Sequence, residues 1–306
     1  MAKAVEVQIT EVCPRDGFQS LPELIPTADK VSIINKIIDC GFKQIEVTSF
    51  VHPKAIPQLK DADEVLKLIK RKDGIKFRAL VPNIRGLERA IEAGIDKAKL
   101  MLSASDSHSI ANANCTTAEA LKQFTPLAEL AAKKSLPLAG SISVAFGCPY
   151  EGKIPIERLY MICAHYKALG ITEVSLADTT GMANPVQTKQ VIRALRDQFP
   201  TFIFSLHLHN TRGMAFANAC AGLEEGIIAF DSSVAGIGGC PYAPGASGNI
   251  ATEDVIHGFE EMGLHTGICL DRVIQVAHEL SDLFVEYSDS FVLKAGKCSD
   301  LTIAPR

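Results

Sequence analysis

Two histidines, His207 and His209, are the side chains of this sequence best placed to hold a metal ion. They close the strand-like segment 202–207, and side chains two residues apart on a strand point to the same face. Both imidazoles can therefore reach one ion. With oxygen ligands from Asp16 and Asn249 the set would suit Mg²⁺ or Mn²⁺, and zinc less readily. The alternative is a pair of unrelated histidines, one of them satisfied by the backbone.

A cation and a carboxylate stand side by side in the Pro-Arg-Asp-Gly turn at residues 14–17. This turn ends the first predicted strand. The guanidinium of Arg15 could there stabilise the developing negative charge of an enolate oxygen. An arginine beside an aspartate is also a common structural ion pair, and the motif alone leaves both interpretations open.

A glycine-rich loop, DSSVAGIGGCPYAPGASGNIATED, occupies residues 231–254 between a strand end and a helix start. Its glycines let the backbone approach a ligand closely, and its prolines limit the freedom of the loop. Cys240 lies within it, and we interpret this thiol as a proton-transfer group on a mobile lid. The alternatives are a surface linker and an inert small residue.

Alternating strand-like and helix-like segments must bring these residues together. Eight consecutive strand–helix units predict an α/β fold, a (β/α)8 TIM barrel over residues 1–267. An extra C-terminal helical segment, residues 268–306, would pack on the barrel. A doubly wound open sheet is the alternative, but no GxGxxG motif follows the first strand. In a barrel the active site lies at the carboxyl ends of the strands, where all the candidate residues fall.

Composition excludes several classes of function. The chain has 306 residues, 47% of them hydrophobic, and a formal net charge of -4. It has no long basic run and no apolar stretch of membrane-spanning length, so we expect neither nucleic-acid nor membrane partners. Nine scattered cysteines without a CxxC pair, and no signal-peptide core, indicate free thiols and a cytoplasmic protein.

Several motifs give the chain a resemblance to the 3-hydroxy-3-methylglutaryl-CoA (HMG-CoA) lyase family, a group of (β/α)8 barrels. The resemblance extends from residue 11 to about residue 280. The most specific motif is AGIGGCPY at 235–242, which looks like the signature loop of these lyases. The other matching motifs are PRDG with Gln19 at 14–19, EVTSF at 46–50, FGCPYE at 146–151 and the two histidines.

The resemblance implies a metal-dependent cleavage of HMG-CoA, or of a close 3-hydroxyacyl-CoA analogue, to acetyl-CoA and a 3-oxo acid. The implied metal ligands are Asp16, His207, His209 and Asn249. The implied catalytic residues are Arg15, Asp16, Glu46, His207 and Cys240, with Arg15 at the thioester enolate, Cys240 in proton transfer and Glu46 supporting the site. We assign substrate contacts to Gln19, Ser49, Asn112, Asp178 and Thr179. We expect an acyl-CoA as partner and a homodimer or higher homo-oligomer.

The fifth strand departs from the family pattern. Ala139 and Ser141 stand where members commonly carry Arg and Tyr facing the substrate. A missing guanidinium removes a bidentate partner for a carboxylate. We therefore expect weak activity on HMG-CoA and better activity on a larger or less acidic analogue. The alternative is that another basic residue, such as Arg212 or Lys54, holds the acid end.

Two other functions compete with this interpretation. A synthase of the same barrel group would join an acyl-CoA to a 2-oxo acid, but such enzymes generally append a long C-terminal domain. A non-catalytic binding protein would have no reason to keep the full set of candidate ligands together with Arg15 and Cys240.

Overall fold

The structure, a computed structural model, describes residues 5–239 and 248–301. Eight parallel strands form a closed barrel in the order β1-β10-β9-β8-β5-β4-β3-β2, and two short strands, β6 and β7, pair antiparallel beside it. The strands are β1 (Gln8–Glu11), β2 (Gln44–Ser49), β3 (Lys76–Leu80), β4 (Lys97–Ser103), β5 (Leu138–Ser143), β6 (Gly147–Cys148), β7 (Gly152–Lys153), β8 (Glu173–Asp178), β9 (Ile203–Leu208) and β10 (Ala229–Ser232). The predicted (β/α)8 barrel is confirmed.

Helices surround the barrel and cover the outer faces of its strands. The α-helices are α1 (Phe18–Ser20), α2 (Thr27–Asp39), α3 (Ala62–Leu68), α4 (Ile84–Glu92), α5 (Asp106–Ala113), α6 (Thr117–Lys133), α7 (Ile156–Ala168), α8 (Pro185–Gln198), α9 (Ala215–Glu224), α10 (Thr252–Glu261), α11 (Leu270–Leu283) and α12 (Phe291–Ala295). Helix α5 was not anticipated from the sequence. Its N-cap is Ser105, whose hydroxyl accepts a hydrogen bond from the backbone N–H of His108, a signal that the apolar pattern alone does not reveal.

The two faces of β5 are distinguished by Gly140. A Cβ atom at this position would lie 2.8 Å from the ring of Tyr166, which extends from α7. Gly140 therefore faces the helical layer, and glycine permits the close contact. Because side chains alternate along a strand, Ala139 and Ser141 point into the barrel. The two positions that depart from the family pattern thus lie on the inner wall, as the two-residue period predicted.

The C-terminal segment packs on the barrel and on the base of the glycine-rich loop. Helix α11 contacts α2 and α10 through its buried face of Val273, Val276, Ala277 and Leu280. Beyond it, the carboxylate of Asp254 accepts hydrogen bonds from the backbone N–H groups of Phe291 and Val292, 2.9 and 2.8 Å away. The acidic residue that ends the loop motif therefore anchors the start of α12.

Composition led to two expectations, the lack of a membrane-spanning helix and the presence of free thiols. Within residues 5–239 and 248–301, no helix is both long and apolar enough to cross a membrane. The cysteines described there, eight in number, are all free thiols. The second observation agrees with the expectation of unpaired cysteines.

Candidate active site

A cavity opens at the carboxyl ends of the barrel strands, where the sequence placed the active site. It is lined by side chains from β4, β5, β8, β9 and the turn after β1. The lining residues are Arg15, Asp16, Gln19, Lys99, Met101, His108, Asn112, Ser141, Ser143, Ala177, Thr179, His207, His209 and Gly239. Both a cluster of possible metal ligands and the small residues Ser141 and Ser143 of β5 therefore face this cavity.

Asp16, His207 and His209 form a tight cluster in this cavity. The Nε2 atoms of the two histidines are 3.2 Å apart. Asp16 Oδ2 lies 3.7 Å from His207 Nε2 and 3.8 Å from His209 Nε2. All three side chains are buried. The sequence prediction that the two imidazoles face one point is therefore consistent with the geometry.

Asn249 joins this cluster through a local backbone bridge to His209. Its side-chain nitrogen Nδ2 donates to Asp16 Oδ2 at 2.7 Å. A Cβ atom on Gly238 would lie 2.3 Å from that Nδ2, so only glycine lets the loop backbone pass so close. A half-turn of the amide would present Oδ1 to the cluster instead, because the two orientations fill the same space.

The chemistry of this donor set fits a divalent cation. Burial and the neighbouring His207 lower the pKa of His209 to about 4, so the ring is neutral with a free nitrogen lone pair. Burial alone would raise the pKa of Asp16, but Arg15 and both histidines hold it well below its usual value. A carboxylate and two facing ring nitrogens, one of them on a neutral imidazole and all buried, match a mixed nitrogen and oxygen site.

Arg15 lies beside this cluster in a tight π-helical turn, Cys13–Gly17. The N–H groups of Arg15 and Asp16 both donate to the carbonyl of Val12, and the Phe18 N–H donates to the carbonyl of Cys13, the five-residue bond of a π-helix. The guanidinium then donates to the carboxylates of Glu46 and Asp16. Burial would lower its pKa, but these two carboxylates raise it, so the group stays a cation inside the protein. It is a fixed, charged donor at the cavity wall.

The first part of the glycine-rich loop is built by buried carboxylates. The Val234 N–H donates to Glu11 at 3.0 Å, and the Ala235 N–H donates to Glu253 at 3.1 Å. Ala235 has a φ of 59°, a left-handed conformation that is uncommon for a residue with a side chain. These bonds hold the loop base against the turn that carries Arg15. Cys240, predicted as the proton-transfer residue, lies outside the described residues.

The predicted substrate-binding residues divide into two groups. Gln19, Asn112 and Thr179 line the cavity. Ser49 and Asp178 do not line it, and their side chains accept backbone hydrogen bonds instead, from Val51 and from Met182 and Ala183. Burial also raises the pKa of Asp178 to about 6. Their role toward a substrate stays a prediction.

Three buried charged residues were not assigned from the sequence: Lys99, which lines the cavity, and Arg78 and Asp231, which contact it or its neighbours. Asp231 Oδ2 lies 3.4 Å from His207 Nδ1 and so contacts a predicted metal ligand from behind. A signal existed in the sequence. Lys97 and Lys99 alternate within a strand that is otherwise apolar, and Arg78 interrupts the apolar strand KFRAL. Charges at such positions must have buried partners.

Comparisons with known proteins identify similar sequences. Residues 6–280 match the HMGL-like family. The chain is 46% identical to a hydroxymethylglutaryl-CoA lyase of Bacillus subtilis over 272 residues. This match covers 89% of this chain and 91% of that protein. Over 300 residues it is 40% identical to the (R)-citramalyl-CoA lyase of Chloroflexus aurantiacus, with 95% of each protein covered.

A solved structure gives the same result for the fold. It is an HMG-CoA lyase from Acinetobacter baumannii in complex with coenzyme A and 3-methylmalate. It superposes with a TM-score of 0.93 at 43% identity, over 98% of each chain. The barrel, the clustered site and these matches over nearly the whole sequence lead to one conclusion: the chain belongs to the HMGL-like family.

Proposed function

We propose that this chain is a divalent-metal-dependent carbon–carbon lyase. It cleaves HMG-CoA, or a close 3-hydroxyacyl-CoA analogue, to acetyl-CoA and a 3-oxo acid, which is acetoacetate for HMG-CoA itself. The observation that carries the proposal is the convergence of the Arg15 guanidinium and the Asp16, His207 and His209 cluster on one cavity. The names of the two sequence relatives, both acyl-CoA lyases, support the reaction class.

Asp16, His207, His209 and Asn249 would hold the ion, Mg²⁺ or Mn²⁺. When bound, it supplies a Lewis acid that favours loss of the proton from the 3-hydroxyl group of the substrate. The histidines fit this role because their ring nitrogens face each other within the cavity. His207 is also held from behind by Asp231, an outer contact of the kind that orients metal-binding histidines.

Arg15 acts on the other half of the substrate. As the C2–C3 bond breaks, its electron pair moves to the thioester and forms an enolate, while the 3-hydroxyl carbon becomes a carbonyl. The guanidinium donates hydrogen bonds to the enolate oxygen, where negative charge grows. Glu46 and Asp16 fix its direction beforehand. Cys240 is proposed to give its thiol proton to C2, which completes acetyl-CoA. The thiolate then takes a proton back from solvent, and this balances the proton that the hydroxyl released to solvent.

The coenzyme A portion would extend from the cavity mouth. The Acinetobacter baumannii lyase was solved with coenzyme A, and this chain shares its fold and 43% of its sequence. An acyl-CoA substrate is therefore the partner that we propose. Residence in the cytoplasm, assembly as a homodimer or higher oligomer, and a C-terminal unit beginning near residue 268 remain parts of the proposal.

The proposed function is tested with metal-stripped protein. HMG-CoA is incubated with and without added Mn²⁺ or Mg²⁺, and acetyl-CoA and acetoacetate are quantified by chromatography. Metal-stimulated formation of both products in equal amounts is expected. In a second incubation that contains acetyl-CoA and a 2-oxo acid, consumption of both compounds would identify a synthase instead. Absence of turnover with every thioester of a 3-hydroxyacyl panel would leave a binding protein.

Citramalyl-CoA cleavage is the second candidate. The chain is 40% identical to an (R)-citramalyl-CoA lyase, and its β5 wall carries small side chains at 139 and 141. The same assay, run with citramalyl-CoA as the substrate, distinguishes the two reactions, because its cleavage would release pyruvate with acetyl-CoA.

A substrate preference follows from the size of the β5 wall. Ser141 lines the cavity where a tyrosine was expected, so the wall has room for a longer 3-alkyl group. We expect 3-ethyl or longer analogues to exceed HMG-CoA in kcat/KM by roughly 10-fold, the order of effect of one methylene in an apolar pocket. The measurement is kcat/KM across a series of 3-alkyl-3-hydroxyglutaryl-CoA thioesters.

Filling the wall provides the matched variant for this prediction. Ser141→Tyr should reverse the order and favour the methyl substrate. If the parent protein has a clearly higher kcat/KM for the methyl compound, the small side chains of Ala139 and Ser141 do not select a larger 3-alkyl group. The other bases considered for the acid end lie elsewhere: Arg212 donates to the carbonyls of Thr180 and Gly181, and Lys54 is exposed.

A further inference from the structure

Lys99 lines the cavity and belongs to a buried square of four charged side chains, which we call the floor. Each comes from a different strand: Glu46, Arg78, Lys99 and Asp231. Arg78 Nη2 lies 2.6 Å from Glu46 Oε2 and 3.1 Å from Asp231 Oδ1. Lys99 Nζ lies 3.2 Å from Glu46 Oε2 and 3.0 Å from Asp231 Oδ2. Each carboxylate is thus shared by both cations. All four side chains are buried, so solvent screens these ion pairs very little.

Both carboxylates of the square also touch a residue of the proposed reaction site. Glu46 accepts a hydrogen bond from the Nε of Arg15. Asp231 Oδ2 lies 3.4 Å from the Nδ1 of His207. The orientation of the guanidinium and of the imidazole therefore depends on two carboxylates whose positions are set by Arg78 and Lys99. A change in either cation should therefore alter the orientation of both Arg15 and His207.

Lys99 lies on β4 beside the β5 position that departs from the family pattern. Its Cα is the register partner of Ala139 across the β4–β5 pair. Ala139 is the inward position where the resemblance led us to expect an arginine. Neighbouring strands lie only about 4.8 Å apart, so a long side chain from either position can reach the same carboxylates. A cation absent from β5 is present one strand away.

Charge balance shows why a cation is needed there. The buried ion-pair network joins three cations, Arg15, Arg78 and Lys99, to three carboxylates, Asp16, Glu46 and Asp231. Removing Lys99 would leave one uncompensated negative charge in the barrel interior. An unpaired buried charge is strongly unfavourable, and the carboxylates would turn toward the remaining cations.

We propose that Lys99 is a positioning residue that supplies from β4 the cation missing from β5 and, through Asp231 and Glu46, fixes the orientations of His207 and Arg15. With Lys99 in place, Asp231 faces His207 Nδ1. A carboxylate 3.4 Å from Nδ1 favours a proton on that nitrogen, which leaves the Nε2 lone pair toward the cavity. The proposal rests on the proposed function in one respect, the role of His207 as a metal ligand.

The test is a metal titration of the full chain. Metal-stripped Lys99→Met, which keeps the length of the side chain without its charge, is titrated with Mn²⁺ by calorimetry. We expect the Kd to rise roughly 10- to 100-fold, because an Asp231 turned toward Arg78 would no longer orient His207, and loss of such an outer contact has effects of this size. A lower Kd, which the unpaired carboxylate charge alone would produce, would overturn the proposal. The matched control is Lys97→Met on the same strand. Lys97 is also buried and paired, but with Glu173, and its loss should leave the Kd within about 2-fold.

A second variant tests whether a cation supplied from β5 can replace Lys99. Adding Ala139→Arg to Lys99→Met returns a cation to the floor from β5, and the double variant should recover a Kd within about 5-fold of the parent. An unchanged Kd in Lys99→Met would overturn the proposal, and so would a folded double variant as weak as the single one. If Lys99→Met does not fold, the double variant decides: parental binding supports the proposal, and failure to fold or bind overturns it.

This experiment is independent of the substrate. The titration contains no thioester, so inactivity of the parent protein on HMG-CoA would reject the proposed reaction without altering the metal affinities. Conversely, an active parent whose Kd for Mn²⁺ ignores Lys99 would keep the proposed reaction and remove the positioning role.

Discussion

Replacing Arg15 by glutamine should lower kcat by roughly 10²- to 10³-fold with a smaller change in KM. The reason is that the guanidinium lies where enolate charge would appear only as the C2–C3 bond breaks. Its direction is fixed by two buried carboxylates before any substrate arrives. An interaction that grows toward the transition state affects kcat more than binding. The measurement is steady-state kinetics on HMG-CoA, or on the best thioester of the 3-alkyl series.

Two further variants make this prediction specific. Arg15→Lys keeps the charge but loses the planar donor pair, so it should recover only part of the rate. Arg158→Gln is the control, because Arg158 pairs with Asp106 and does not line the cavity. A variant Arg15→Gln with near-parental kcat and only a raised KM would assign Arg15 to substrate binding and end its role at the enolate.

Replacing His207 by alanine should abolish tight metal binding and reduce turnover by roughly 10³-fold or more while the protein stays folded. His207 contributes one of the two facing ring nitrogens, so its loss removes a ligand from the centre of the cluster. The barrel itself does not depend on this ring, since the strand is held by backbone hydrogen bonds on both sides. The measurement is the metal content of purified protein by mass spectrometry, together with far-UV circular dichroism.

His165→Ala is a suitable control for this variant. That histidine lies on α7, outside the cavity, with its Nε2 placed 3.0 Å from the carbonyl oxygen of Leu121. It should retain the metal content and rate of the parent. Equal metal content in His207→Ala and the parent protein would show that the ion, if present, is held elsewhere.

The alternation of segments and the spacing of a few residues determined the fold and the centre of the site. Eight strand–helix units favour a closed barrel, and a barrel gathers the carboxyl ends of its strands on one face. Two histidines at a spacing of two residues must share a side of their strand. These are local rules, which hold before any long-range contact is known. They are sufficient to bring His207 and His209 together with Asp16.

Local rules could not decide which polar residues at strand ends reach the cavity. Ser49 and Asp178 follow their strands as Thr179 does, yet their side chains accept bonds from nearby backbone N–H groups. Whether an oxygen faces the cavity or a turn depends on the path of the loop after the strand. That path is set by packing between segments far apart in sequence.

Only the tertiary structure revealed the charged floor beneath the site. Glu46, Arg78, Lys99 and Asp231 come from four strands, and ion-paired members lie as far as 153 positions apart along the chain. The sequence shows charges within apolar strands, and burial requires that each be paired, but it does not name the partner. Closure and register of the barrel decide this, because they set Lys99 opposite Ala139 and bring both cations to the same two carboxylates.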